Sequence, residues 1–274
     1  MNKQLTRHNF LLLQPSVFPI AVSFSLLTLI CGALFNFSRS FFLGGIFIHL
    51  GGFFLIISLL GWWRQVMVEA YDNLHTPRMQ TGIRIAMCLF ILSELMFFVG
   101  FFWAFFHSAI VPDTNVGSVW PPLEIEPIGP WGLPLFNTIA LLSSGGTITW
   151  AHHLLLKHDT EKAAWLTLAT LFLAVCFLCA QYHEYVFAEF SYSDGIYGSL
   201  FYMLTGFHGL HVTVGFLFLL VVWFRLDRSF LKNFFTPVHP DHHVLFEISA
   251  WYWHFVDVVW IFLFVFVYWW GSTI

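Results

Sequence analysis

Seven stretches of the chain run for about 20 positions with hardly a polar residue, at about Val17–Phe35, Phe41–Trp62, Gly82–Phe106, Leu133–Leu155, Ala163–Phe187, Gly198–Arg225 and Val244–Trp270. A helix of that length crosses a hydrocarbon core of roughly 30 Å. The pattern therefore predicts seven transmembrane helices. The ends of the stretches agree with this: Arg39 precedes the second, Trp62-Trp63-Arg64 follows it, and Tyr268-Trp269-Trp270 closes the last. Aromatic and cationic residues gather at the membrane–water interface in this way. A transmembrane β-barrel would show alternating ten-residue segments instead, and none is visible. The expected class is an all-α membrane protein.

Polar segments divide the chain. The first long one, RQVMVEAYDNLHTPRMQT at Arg64–Thr81, marks a boundary between residues 1–63, with helices one and two, and residues 82–274, with helices three to seven. Residues 64–81 are expected to form a connecting loop. The loop Ser108–Pro130 contains WPPLEIEPIGP, stiffened by its prolines. No internal repeat stands out.

Composition removes the soluble alternative. Of 274 residues 58% are hydrophobic and 9% charged, against about 25% charged in a soluble domain. Lysine and arginine then set a direction. The N-terminus and the even-numbered loops hold Lys3, Arg7, Arg64, Arg78, Arg84, Lys157, Lys162, Arg225, Arg228 and Lys232; the other side holds Arg39 alone. The positive-inside rule places the N-terminus in the cytoplasm or the matrix and the C-terminus opposite. The outer side is acidic, with Asp113, Glu124, Glu126, Glu189 and Asp194, so the net charge of −4 averages two unlike faces. Met1–Ser16 resembles neither a cleavable signal nor a transit peptide, and the chain is expected to insert as made. Thinly spread cations exclude a nucleic-acid partner, and no phosphate loop or nucleophile motif is present.

Candidate chemistry lies in the ionisable residues at depth. Cys176-x-x-Cys179 has metal spacing but sits inside an apolar stretch, and Cys31, Cys88, Cys176 and Cys179 read as small buried hydrophobes. Among 14 histidines, His208 and His211 share one helix face. A metal pair is possible there, but the glycines at 206, 209 and 215 favour a close helix contact with the histidines hydrogen-bonded across it. Glu184, Glu247 and Asp257 are further acids within or at the edges of the stretches, and His254 is three residues from Asp257. Hydrogen bonding within the protein interior competes here with a proton path. Glu94, in ISELMFFVGFFWAFFH, has Phe90, Ile91, Phe97 and Phe98 at the helical neighbour positions. Any partner for its carboxyl must come from another helix, a water or a lipid.

Six blocks, GFFWAFFHS (Gly100–Ser108), SVWPP (Ser118–Pro122), ITWAHH (Ile148–His153), SDGIYGS (Ser193–Ser199), TGFHGLHV (Thr205–Val212) and AWYWHFVDVVW (Ala250–Trp260), stand in an order that resembles subunit III of cytochrome c oxidase. The resemblance covers about Trp62–Ser272. It implies seven transmembrane helices arranged as a two-helix and a five-helix bundle around a lipid-filled cleft. It further implies no redox centre in this chain, with haem and copper in partner subunits I and II, contacts with those and accessory subunits, and support of subunit I and of proton uptake. An oxygen path through the lipid cleft has been proposed for the family. Glu94 falls on the family's buried carboxylate. Trp63, Glu69, His75, Arg225 and His242 fall on positions that bind phospholipid. Two departures bear on that lipid: Val68 stands where an arginine is common before the acid at Glu69, and Leu74-His75-Thr76 stands where His-His-Thr is common. The loop Arg225–His243 is also longer than usual, and its Arg228 or Lys232 could replace the lost cation.

The resemblance places the chain in the mitochondrial inner membrane or a bacterial plasma membrane; 35 phenylalanines, which imply T-rich codons, lean to an organellar gene. Two alternatives remain: subunit III of a related quinol oxidase, and a stand-alone proton-coupled transporter using Glu94 and Asp257. A transporter would show paired interruptions in inverted repeats, and the WPP loop favours the cytochrome c branch.

Overall fold

The computed structural model describes residues 15–72, 74–114, 117–123, 125–227, 236–238 and 243–273. Among them every regular element is helical, and the expected seven helices are present: α1 Phe18–Phe37, α2 Phe41–Tyr71, α3 Pro77–Ile110, α4 Leu133–Leu156, α5 Thr160–Phe187, α6 Gly195–Leu226 and α7 Val244–Phe262. After α7 the chain widens into a π-helical segment, Leu263–Trp269, and tightens to a 3-10 turn at Trp270–Ser272. Six of the seven, α7 counted with its continuation to Ser272, are long and apolar enough to cross a membrane. The exception is α4. Its 24 residues rise about 36 Å, which is sufficient length, but Asn137, Ser143, Ser144, Gly145, Gly146, Thr147 and Thr149 dilute its apolar content.

The segment 64–81 differs from the expected loop. Helix α2 continues through Tyr71 and α3 begins at Pro77. Polarity ends the membrane-crossing part of a helix, not the helix itself. RQVMVEAY contains no glycine or proline to stop it, and Gln65 Nε2 donates to Glu69 Oε1 at 2.9 Å one turn on. Pro77 suits the first turn of α3, where a backbone N–H has no helical acceptor.

The described residues fall into two compact units, one within Met1–Thr81 and Leu231–Pro237, the other within Gly82–Phe230 and Val238–Ile274. In unit one, α1 and α2 are joined by a tight turn with Arg39 at a φ of 63°. Apart from Met67, their buried residues are small and recur every seven positions, Ser25 and Gly32 on α1, Gly44, Gly51 and Ser58 on α2. A side chain at Gly51 would stand 2.8 Å from Leu29 N and 3.1 Å from Ser25 O, so the two backbones approach directly.

Unit two has a conventional core of large side chains. Trp253, Trp260, Phe105, Phe177, Leu141 and Ile148 are completely buried. The indole nitrogens of Trp253 and Trp260 have partners: Trp253 Nε1 donates to Ser144 Oγ at 2.8 Å and Trp260 Nε1 to Thr138 Oγ1 at 2.9 Å. Thr147 and Thr170 tie α4 to α5 at 2.7 Å. The α4–α5 turn has His158 at a φ of 62°, and Asp159 caps α5 by accepting from Lys162 N at 3.2 Å.

Candidate functional site

Within unit two, α3 and α6 bring Glu94 and His211 together. Their separation is 2.8 Å between Oε2 and Nε2, and Glu94 remains about a quarter exposed (26%) while His211 is nearly enclosed. The rings of Phe98 and His211 meet edge to face at 5.0 Å between centroids, and Tyr252 is stacked with His211 at 6.4 Å. The protons of this pair can be counted. His211 Nδ1 lies 2.6 Å from the carbonyl oxygen of Phe207, which can only accept, so Nδ1 carries a hydrogen. The contact to Glu94 then needs one further proton, either as carboxylic acid facing neutral imidazole or as carboxylate facing imidazolium. Either way the pair is neutral overall and shares one proton.

The other acids pair separately. Arg84 Nε and Nη2 donate to Glu247 Oε2 at 2.9 and 2.8 Å, joining α3 to α7. Asp257 Oδ2 stands 3.3 Å from His254 Nδ1, and His254 Nε2 stands 3.1 Å from Thr149 Oγ1. Gly145 gives the Asp257 carboxylate its space, since a Cβ there would collide with Oδ2. His208, one turn from His211, points to α7 instead: its Nε2 lies 3.2 Å from the carbonyl oxygen of Val256, with its ring against Trp260 and Phe177. The two histidines thus serve different neighbours. Among the described residues no three histidine, cysteine or acidic side chains converge on a point that could hold a metal ion.

In unit one, Glu69 Oε2 faces His75 Nε2 at 3.8 Å, and Trp63 is half-exposed on α2. In unit two, Arg225 is buried at the end of α6, its carbonyl accepting from Val238 N at 3.2 Å. His242, and the cations Arg228 and Lys232, lie outside the described residues.

Two groups escape sequence reasoning. Arg84 as the partner of Glu247 is one; the pair lies 163 positions apart. The other is a buried cluster in which Glu184 Oε1 accepts from Tyr268 at 2.5 Å and from Gln181 Nε2 at 3.0 Å, with Asn137 donating to Gln181 at 3.4 Å. The spacing Gln181-x-x-Glu184 was its only local signal.

Comparisons with known proteins agree with one another. The family profile described as Cytochrome c oxidase subunit III matches residues 8–272. Cytochrome c oxidase subunit 3 of Pylaiella littoralis is 46% identical over 273 residues, 99% of this chain and 97% of that one. The subunit 3 of Marchantia polymorpha is 46% identical over 97% of this chain and 98% of its own. That of Rattus norvegicus is 46% identical over the same shares of each.

Proposed function

The chain belongs to the cytochrome c oxidase subunit III family, and we propose on that premise that it supports a terminal oxidase without itself carrying a redox centre. In this reading electrons pass from cytochrome c to dioxygen on haem and copper held by subunits I and II, and this chain stabilises subunit I and sustains its proton uptake. Its setting is the mitochondrial inner membrane, with the N-terminus in the matrix, as the lysine and arginine distribution supports. Phospholipid is held by Trp63, Glu69, His75, Arg225 and His242. The isolated polypeptide is expected to show no haem or copper spectrum, and a bound redox centre in it would overturn the reading.

One observation carries the assembly role. Ser143, Gly146 and Thr149 of α4 are exposed, beside His254 of α7 with 43% of its side chain open. Facing lipid, these groups gain nothing; facing another subunit's helix, Ser143 and Gly146 allow close approach, beside Thr149 and His254, which are already bonded to each other. Gly146→Leu tests this, because a Cβ at Gly146 meets no atom of this chain within 4 Å. The variant should fold normally and co-purify poorly with subunits I and II. Full co-purification would sink the assembly role for this face.

A second role follows from the single proton shared by Glu94 and His211. Glutamine at 94 can still donate to neutral His211 Nε2 but cannot give up its hydrogen. Glu94→Gln should therefore preserve stability while slowing proton uptake by the complex. Normal uptake and normal turnover lifetime would leave the pair a helix-to-helix tie.

A further inference from the structure

At the end of unit two where α5 finishes and α4 begins, one acid has no role in the reading above. Glu184 lies in the last turn of α5, Asn137 in the second turn of α4, and Tyr268 in the π-helical segment, a geometry that recurs at functional positions. All three are more than nine-tenths buried, as is Gln181. Their hydrogens can be counted. Tyr268 donates to Glu184 Oε1 at 2.5 Å, and Gln181 Nε2 directs its two hydrogens to Glu184 Oε1 at 3.0 Å and to the Tyr268 oxygen at 3.4 Å. Gln181 Oε1 therefore faces Asn137 Nδ2, at 3.4 Å, which leaves Asn137 Oδ1 turned away from it. Two acceptors are left over. Glu184 Oε2 and Asn137 Oδ1 are enclosed and meet no donor among the described residues. An enclosed oxygen without a donor is costly, and within a membrane no bulk water reaches it.

One water molecule answers both oxygens, since a buried water makes about three hydrogen bonds. With Glu184 ionised, the water donates one hydrogen to Oε2 and the other to Asn137 Oδ1. With Glu184 neutral, its hydrogen sits on Oε2, because Oε1 already accepts twice; Oε2 then donates to the water, which still donates to Asn137. Only the water turns between the two states, so a proton enters or leaves with every protein partner in place. A hard cation would need about six oxygens, and these two are the open ones among the described residues of the cluster. The ionisable groups around the carboxyl are phenols: Tyr268, Tyr185 of α5, bonded to Thr205 at 2.6 Å, and Tyr202 of α6, bonded to the carbonyl oxygen of Phe190 at 2.8 Å. Phenols do not titrate near neutrality, so the proton balance of the cluster is that of one carboxyl group. We propose that this cluster is a proton-binding site made of Glu184 and one water that bridges Glu184 Oε2 to Asn137 Oδ1. It shares no residue with the Glu94–His211 pair or with the lipid positions, and it stands without either.

The test is made on the intact oxidase. Infrared difference spectra between acidic and alkaline pH should contain a carboxylic acid band that Glu184→Gln removes and Glu94→Gln leaves in place. Glutamine at 184 keeps an acceptor toward Tyr268 and a donor toward the water, so the variant should assemble normally. The band should shift in D2O, because its hydrogen exchanges through the water. An electron cryomicroscopy map that resolves ordered waters should show one within hydrogen-bond distance of both Glu184 Oε2 and Asn137 Oδ1, and Asn137→Leu should lose that water and displace the band. Identical spectra for Glu184→Gln and the unmodified complex overturn the proposal, since a merely structural cluster exchanges no acid proton. So does a map with ordered waters elsewhere and none between these two oxygens. If Asn137→Leu fails to assemble, the unmodified complex decides: a band unmoved in D2O, or the two oxygens in direct contact, overturns the proposal.

Discussion

Helices α1 and α2 of unit one meet along Ser25, Gly32, Gly44, Gly51 and Ser58, whereas α4 to α7 of unit two meet around Trp253, Trp260, Phe177 and Tyr268. In lipid the hydrophobic effect does not drive helices together, because acyl chains are as apolar as leucine. Unit one answers by removing side chains until backbones touch, with the hydrogen bond from Ser16 Oγ to Gln65 Oε1 at 2.7 Å beside that contact. Unit two answers with large rings, two of whose indole nitrogens are individually bonded, Trp253 to Ser144 and Trp260 to Thr138. The first contact should fail when atoms are added, the second when atoms are removed.

Removal in unit two should have the largest effect. Trp260→Ala creates a cavity and frees Thr138, at a cost of about 3–5 kcal/mol. Thermal loss of the chain from the solubilised complex should report it, while Phe53→Ala on the exposed surface of α2 should change little. A similar midpoint for both variants would break the comparison. Addition in unit one comes next. Gly51→Leu should cost about 1–3 kcal/mol or more and part α1 from α2, read as faster proteolysis at the Arg39 turn. The matching addition in unit two, Gly209→Leu, meets open space and should be nearly silent. A smaller effect isolates one bond: Trp253→Phe keeps most of the ring volume and should lose about 0.6 kcal/mol, a typical membrane hydrogen bond. Combined with Ser144→Ala the losses should not add, since both remove the same contact.

The smallest effect lies at the surface. Asp159, outside the membrane, is held below its ordinary value by its hydrogen bonds to the Lys162 side chain and backbone. A lowered value means the charged form is favoured in the fold. Its capping contribution is therefore complete above the ordinary aspartate range and fades as pH falls through the lowered value. Hydrogen exchange of the first turn of α5 should quicken on acidification, and Asp159→Asn should flatten that response.

Helix number was legible because polarity in the membrane is costly enough to leave long apolar runs. Helix ends were less so: the pattern registers where hydrocarbon stops, and α2 continues past that point to Tyr71. The π-helical turn left no mark, since LFVFVYW differs in no obvious way from the helix before it. At the site, the sequence showed that Glu94 lacks a partner on its own helix. It could not supply His211, 117 positions away, because spacing rules reach one or two turns and the pairing is set by how α3 and α6 pack. Asp257 and His254 lie three apart on one helix, and there the spacing alone exposes the neighbourhood.

The diluted apolar content of α4 bears on how the chain is made. An insertion machinery that partitions each segment by its own preference for lipid would hold α4 weakly, since its serines, threonines and Asn137 offset its leucines. Helix α5 follows after Lys157, His158 and Asp159 alone, and it is strongly apolar. The two would then enter as a hairpin, the second carrying the first, with Thr147 and Thr170 closing on each other once both are within the bilayer. The three-residue turn is in this sense a step in biogenesis, and lengthening it should delay membrane integration of α4 before it disturbs any finished contact.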